Sequence, residues 1–243
     1  MGKFLLNLAA YILVVTVNGL ANALPLNGQT TGEISNKLNV LFTPAGYVFS
    51  IWGLIYILLG IWIIRQFPSS RRNLPLYQET SGLFVLSCLL NTLWIFMWHY
   101  EFFGLSVIVM LLLLITLIRL YVSVKAAGAS FFDLLPFSVY LGWISVATIA
   151  NISYYLTYVD WDGFGISDSI WTVLLLLVAT VLALTFLKNE NDWVYPLVFV
   201  WAFIGIGIKN QNADVPLVVY SSYTLAALIL IITLLYSFKP RSS

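Results

Sequence analysis

Long apolar runs separated by short polar turns constrain this chain more than any other feature. The hydrocarbon core of a bilayer needs about 20 mostly apolar residues per helix, and eight segments meet that length. With 61% hydrophobic and only 9% charged residues, the composition also differs from that of a soluble chain of 243 residues. We therefore predict an all-α integral membrane protein with eight spans, at about 4–24, 46–66, 80–98, 104–124, 134–158, 168–187, 193–211 and 215–238.

The distribution of basic residues predicts how these spans are oriented. With the N-terminus in the cytoplasm, nine of the eleven Lys and Arg residues fall at cytoplasmic helix ends, and only Lys37 and Lys209 fall outside. Eight helices with both termini in the cytoplasm follow from this pattern. The nine residues are Lys3, Arg65, Arg71, Arg72, Arg119, Lys125, Lys188, Lys239 and Arg241.

The first apolar run has two interpretations. Lys3, the run itself and Ala21-Asn22-Ala23 resemble a secretory signal with its cleavage site. The run is long for a signal and contains Asn7 and Asn18, which favours a retained helix that packs against others.

Several function classes find no support in the sequence. Cys88 is the only cysteine and His99 the only histidine, so a Cys/His zinc cluster is excluded and no metal ligands are predicted. A net charge of +1 without a basic stripe gives no indication of nucleic-acid binding. No helix centre carries a carboxylate or histidine, which argues against a proton or ion pump. Asp160, Asp162 and Asp168 lack the ligand spacing of an EF-hand calcium site. The sequence contains no recognisable nucleophile–base pair, so we predict no catalytic residue.

Three helices carry aromatic and polar side chains on one face, at i, i+3, i+4 or i+7 spacing. Such faces are typical of helix contacts or of a small-molecule pocket, and spacing alone favours core packing and a pocket about equally. For Trp62, Trp161, Trp171 and Trp193, near helix ends, an interfacial belt is the better interpretation. The faces comprise Phe49, Trp52 and Tyr56 on the second helix, Asn91, Trp94 and Trp98 on the third, and Tyr140, Trp143, Asn151 and Tyr154 on the fifth.

Three ordered motifs on these helices resemble the TspO/MBR family, the translocator or tryptophan-rich sensory proteins. The run TPAGYVFSIWGLIY at 43–56 resembles the signature that opens the family's second helix, with Tyr47 at its usual Trp. LNTLW at 90–94 resembles the motif of its third helix, and YLGW with ATIAN at 140–151 that of its fifth. Ala45 and Val139 replace family prolines, so this is a divergent and longer member.

The resemblance implies a five-helix TspO-like unit over 1–158, followed by a three-helix transmembrane extension over 159–243. It implies a ligand pocket inside the five-helix bundle, capped by the loop at about Pro25–Thr43. We expect the protein in the plasma membrane of a bacterium. The ligand-binding residues that we carry over, or infer from the same faces, are Trp52, Trp143, Trp94, Asn91, Asn151, Tyr47, Phe49 and Tyr140.

The resemblance further implies a receptor, sensor or carrier for a planar apolar ligand such as a porphyrin, a haem-type molecule or a sterol. No cofactor is firmly implied. Two alternatives stay open: tryptophan-dependent photo-oxidative degradation of porphyrin, which would make the protein an enzyme, and small-molecule transport. The expected partners are the lipid bilayer and the ligand, with a homodimer as an alternative and no nucleic acid.

Overall fold

The computed structural model describes residues 1–24 and 26–237, and the described chain forms helices and turns with no strand. Pro25 in the predicted capping loop, and Lys239 and Arg241 of the basic pattern, lie outside these residues. The prediction of an all-α membrane protein is confirmed. The eight long helices are α1 (Gly2–Ala23), α2 (Ile51–Arg65), α3 (Ser81–His99), α4 (Phe103–Ala126), α5 (Phe131–Tyr158), α6 (Asp168–Glu190), α7 (Val194–Asn210) and α8 (Pro216–Ser237).

Seven of these helices are long and apolar enough to cross a membrane, when α2 and α3 are counted with the helical turns that precede them. The eighth, α7, has 17 residues and is shorter than the predicted span 193–211. Its start is fixed by Asp192, whose carboxylate accepts the backbone N–H groups of Val194 and Tyr195 at 2.8 and 3.2 Å. These bonds satisfy amides that have no partner within the helix, so α7 begins later than hydropathy indicates.

The chain forms two compact units. Unit 1 comprises residues 1–37 and 50–144, which are α1 to α4 and the first half of α5. Unit 2 comprises residues 38–49 and 145–243, which are the segment before α2, the second half of α5, and α6 to α8. The predicted domain division after residue 158 stays a prediction, and by packing α5 belongs to both units.

Polar side chains connect the helices of unit 1. In α1, Asn7 donates to the Gln66 side chain at 3.0 Å and accepts from the Ser81 hydroxyl at 2.7 Å. All three are buried, and the bonds join α1 to the residue that follows α2 and to the first residue of α3. Since a polar group at membrane depth must find its partner within the protein, the expectation that α1 packs through its asparagines is met.

An ionic cluster forms where α5 begins. The Asp133 carboxylate is almost fully buried and receives hydrogen bonds from Arg65 and Arg71, the nearest at 2.8 and 2.9 Å. Tyr77 and Ser130 donate their hydroxyls to the same carboxylate at 2.9 and 2.6 Å. Two guanidinium groups and two hydroxyls thus compensate one buried charge, as a buried carboxylate requires.

Trp62 lies near this cluster, and the belt interpretation was wrong for it. The side chain has no exposed surface, and its ring contacts Tyr77, Phe84 and Phe137 at centroid distances of 5.2, 4.8 and 5.2 Å. A tryptophan of the interfacial belt faces headgroups, whereas Trp62 fills the core of unit 1. The ring packs in the core because three aromatic partners contact it there. They lie on the short helix Pro75–Gln78, on α3 and on α5.

In unit 2, the segment 38–49 lies along α7 and is bonded to it through its backbone. Lys209 and Asn210 donate to the carbonyl oxygens of Val40 and Leu41 at 3.1 and 2.9 Å. The Trp201 indole donates to the carbonyl of Val48 at 3.1 Å. The bonds give additional partners to backbone carbonyls of this segment, whose last residues belong to the short 3-10 helix Gly46–Ser50. Backbone polar groups in a membrane protein need such partners within the protein.

Gly205 lets this segment approach α7 closely. Its carbonyl accepts the Ala45 amide at 3.0 Å, and a methyl group placed at Gly205 would come within 2.2 Å of the Val48 side chain. Val48 is fully buried and β-branched, so it has little freedom to move aside. The absence of a side chain at 205 is therefore a packing requirement.

We predict that Gly205→Ala destabilises the protein, because the added methyl overpacks a closed contact. The expected loss is about 1–3 kcal/mol, or roughly 2–10 °C in Tm for a chain of this size, measured by thermal unfolding in lipid nanodiscs. Gly53→Ala is the matched control, since a methyl at this helical glycine meets no atom within 4 Å. Its Tm should stay equal or rise, and an equal fall in both variants would contradict the close approach at Gly205.

Candidate functional site

The aromatic cluster, formed by Trp52, Tyr56, Tyr140 and Trp143, is the candidate site of unit 1. Trp52 and Tyr56 are one turn apart on α2 and stack at 5.6 Å with an interplanar angle of 16°. The Trp52 ring meets Tyr140 and Trp143 of α5 edge to face, at 6.0 and 6.3 Å. Tyr140 and Trp143 are each only 2% exposed, while Trp52 is half-buried. Trp52 therefore forms the accessible edge of a cluster with buried walls.

A buried hydrogen-bonded chain supports the cluster from α1 and α3. The Asn18 amide donates to the side-chain oxygen of Asn91 at 2.9 Å, and Asn91 donates to the Tyr140 hydroxyl at 2.7 Å. Asn91 has no exposed surface. Because Tyr140 belongs to both sets, this polar chain fixes the position of one aromatic wall.

The Tyr56 hydroxyl is a buried polar atom of the cluster with incomplete pairing. It is buried, and it makes no hydrogen bond of good geometry with the described residues. Asn91 is close enough to interact with it, but the Asn91 side chain is already engaged with Asn18 and Tyr140. An unpaired buried hydroxyl costs about 1–3 kcal/mol, so this atom would gain from a polar partner.

The structure brings four of the eight predicted ligand-binding residues together, namely Trp52, Tyr140, Trp143 and Asn91. Trp94 is 7% exposed and stacks on Trp98 at 5.6 Å, along the same face of α3. The other three, Tyr47, Phe49 and Asn151, belong to unit 2. There Tyr47 is 43% exposed and contacts Trp201 edge to face at 5.3 Å.

The first part of the loop after α1 is anchored on the end of α3 within unit 1. Thr31 and the fully buried His99 ring hydrogen-bond to each other at 3.0 Å, and Asn27 donates to the His99 carbonyl at 3.1 Å. Lys37 forms an ion pair with Glu101 and lowers the pKa of that carboxyl group. The five-residue helix Thr31–Ser35 begins with a capping box. This segment is thus more ordered than its Gly and Thr content indicates.

Comparison with known proteins identifies the family. The family model of TSPO-like proteins matches residues 4–235, which is nearly the whole chain. The chain belongs to the TSPO-like family. No curated protein and no solved structure shows a significant match. The family supports a ligand-binding or transport role in a membrane, and the match includes α6 to α8 as well as the first five helices.

Unit 2 of this TSPO-like protein contains a cavity of about 430 Å³. Its wall is built by residues 39–42, the last part of α5, the connection to α6, and the first two turns of α6. Sequence reasoning missed this cavity, because its wall combines a loop with two helix ends rather than one striped face. Two of its residues, Trp161 and Trp171, were interpreted only as belt residues.

Metal binding finds no geometric support in the described part of this TSPO-like protein. No three His, Cys, Asp or Glu side chains among residues 1–24 and 26–237 come together as metal ligands. Cys88 and His99 are both buried, and His99 is engaged with Thr31 as described above.

We predict that Asn91→Leu destabilises the protein by roughly 1–3 kcal/mol, because Asn18 and Tyr140 both lose their partner. Interhelical hydrogen bonds in membranes contribute about 0.6 kcal/mol each and at most about 1.7, and the orphaned groups add a desolvation cost. Tyr140→Phe removes only one of the two bonds and should have a smaller effect. Reversible unfolding in bicelles measures both.

Asn22→Leu is the control for this comparison. Asn22 is exposed and, among the residues that the structure describes, donates only to the Asn18 carbonyl of its own helix. Its loss should therefore change the unfolding free energy little. If Asn91→Leu were no more destabilising than Asn22→Leu, the chain from Asn18 to Tyr140 would not be a determinant of stability.

Proposed function

We propose that this TSPO-like protein binds a planar apolar ligand of the tetrapyrrole class at the aromatic cluster of unit 1. The observation that carries the proposal is the half-buried Trp52 ring, held against Tyr56, Tyr140 and Trp143 at 5.6–6.3 Å. Family membership supports ligand binding in general, and the cluster offers a chemically specific place for it.

Stacking on Trp52 would supply most of the attraction. Aromatic rings in contact gain about 0.5–1.5 kcal/mol beyond the burial of their area, in offset-stacked or edge-to-face arrangements. A planar macrocycle has a large apolar face, so it can lie on the accessible side of Trp52 while Tyr140 and Trp143 keep the indole in place. This pre-organisation lowers the entropy that ordering the site would otherwise cost.

The Tyr56 hydroxyl would form a hydrogen bond with the polar edge of the ligand. This hydroxyl is buried and incompletely paired, and Tyr56 stacks directly on Trp52. A pyrrole N–H or a carboxylate of the ligand would complete its hydrogen bonding. Asn91, fixed by Asn18, would act as a positioning residue through Tyr140 rather than as a direct contact.

We predict that Trp52→Leu weakens protoporphyrin binding about 10-fold, which corresponds to about 1.4 kcal/mol. Tyr56→Phe should weaken it about 3-fold, since one hydrogen bond contributes about 1 kcal/mol. The measurement is a titration with protoporphyrin in the dark, on the full chain in nanodiscs, followed by the shift of the porphyrin Soret band. Empty nanodiscs correct for partition into lipid.

Trp193→Leu is the matched control. Trp193 is 43% exposed at the start of α7 and belongs to unit 2, so its replacement should leave the affinity unchanged. Circular dichroism and Tm establish that each variant is folded, and Trp143→Phe provides a second test of the cluster. Saturable binding that is equally strong in the Trp52, Trp143 and Trp193 variants, or no binding above empty nanodiscs, would contradict the proposal.

A further inference from the structure

The cavity of unit 2 has the size of a small-molecule site. Its volume of about 430 Å³ lies within the range of roughly 300–1,000 Å³ that is usual for ligand pockets. Much of its wall is aliphatic or aromatic: residues 40–42 form one side, and Ile149, Ile152 and Leu156 of α5 form another. A ligand of this cavity therefore needs an apolar body.

The charged side chains that line the cavity have one sign; Lys209, which donates to the carbonyl of the wall residue Val40, does not line it. Among the described residues that line it, only Asp160 and Asp168 are ionisable at neutral pH. Both are exposed, and neither takes part in an ion pair within the part of the chain that the structure describes. Two unpaired carboxylates beside an apolar volume create a field that attracts a cation and repels an anion.

Backbone geometry defines where the two acidic residues stand in the chain. Asp160 has a φ of 52°, in the left-handed region that closes α5. Asp168 is the first residue of α6, directly after its capping residue Ser167, and its carbonyl accepts the Thr172 hydroxyl at 2.7 Å. The two acids thus line the cavity from just after the end of α5 and from the first residue of α6.

An indole pair completes the site. The rings of Trp161 and Trp171 are 5.3 Å apart, and the Trp171 indole donates to the Gly163 carbonyl at 2.8 Å. Gly163 has a φ of 62°, and a side chain there would come within 3.1 Å of the Trp171 indole nitrogen. The glycine therefore lets the backbone hold Trp171 at the cavity. Tryptophan faces attract organic cations, especially quaternary ammonium groups.

We propose that this cavity binds an organic ammonium ion with an apolar body. The ammonium group lies between the carboxylates of Asp160 and Asp168 and the indole pair, and the body fills the space between residues 40–42 and α5. A hard metal ion fits less well, because calcium needs six to eight oxygen ligands and two carboxylates stand beside aliphatic walls here. The site shares no residue with the aromatic cluster, and it does not depend on the function proposed above.

The test compares three compounds that share a naphthyl group and differ in charge. The cation is (2-naphthylmethyl)trimethylammonium, the neutral isostere is 2-neopentylnaphthalene, and the anion is 2-naphthylacetate. Equilibrium dialysis against the full chain in zwitterionic nanodiscs, corrected with empty nanodiscs, gives each affinity. We expect the cation to bind at least about 10-fold more tightly than the neutral isostere, the anion to bind most weakly, and added salt to narrow the difference.

The variants assign the preference to individual residues. Asp160→Asn/Asp168→Asn should abolish the advantage of the cation, and asparagine tolerates the left-handed backbone at 160. Trp161→Leu should weaken the cation about 3-fold. Asp162→Asn is the matched control: it removes the same charge from the same connection, but its carboxylate accepts the Phe164 amide and does not line the cavity.

The outcomes decide the proposal in either direction. Loss of the cation preference in the Asp160/Asp168 double variant, with the Asp162 variant unchanged, supports it. Equal binding of cation and neutral isostere, or an equal effect of Asp162→Asn, would overturn it, because the site would then be a lipid-filled cavity or a general surface field. The protoporphyrin titration is unaffected by either result, since it reports on residues of unit 1.

Discussion

The structure depends on the requirement that polar groups at membrane depth find their partners within the protein. Water cannot compensate them in hydrocarbon, and each unsatisfied group costs several kcal/mol. Buried polar groups at helix ends follow the same rule: at the start of α5, two arginines and two hydroxyls surround the Asp133 carboxylate. These donors come from the end of α2, from the connection to α3, and from the residues around the start of α5. Removing one partner would leave a buried charge, so the cluster stabilises all of these chain segments together.

The same requirement places the candidate site. Asn18 bonds to Asn91, and Asn91 bonds to Tyr140. This fixes the part of α5 that carries Trp143. Trp52 can then meet two rings of α5 whose positions are already determined. The aromatic cluster is therefore a consequence of polar pairing on α1 and α3 as much as of ring–ring attraction. The aromatic rings bury the larger area, whereas the hydrogen bonds are the more directional interactions.

Hydropathy and motif spacing predicted the helices and the residues of the aromatic cluster as candidates, but not the hydrogen bonds to backbone carbonyls outside the long helices. The short connection between α3, which ends at His99, and α4, which begins at Phe103, agrees with the predicted spans 80–98 and 104–124. The rings of Trp52 and Trp143 are in contact. Trp62 was misplaced because its partners come from other helices, which a single helix face cannot indicate. The bonds from Trp201 and Asn210 to carbonyls of residues 38–49 were also missed. Every residue has a backbone carbonyl, so the sequence does not indicate which carbonyl accepts a bond.

Those backbone bonds join the segment before α2 to one of the C-terminal helices. The residues that lead into α2 belong to the same compact unit as α6 to α8, and α7 supplies the donors for Val40, Leu41 and Val48. Without α7, these carbonyls would need other partners. The residues that follow Lys37 also form one wall of the cavity in unit 2. The position of the segment 38–49 therefore depends on hydrogen bonds from α7.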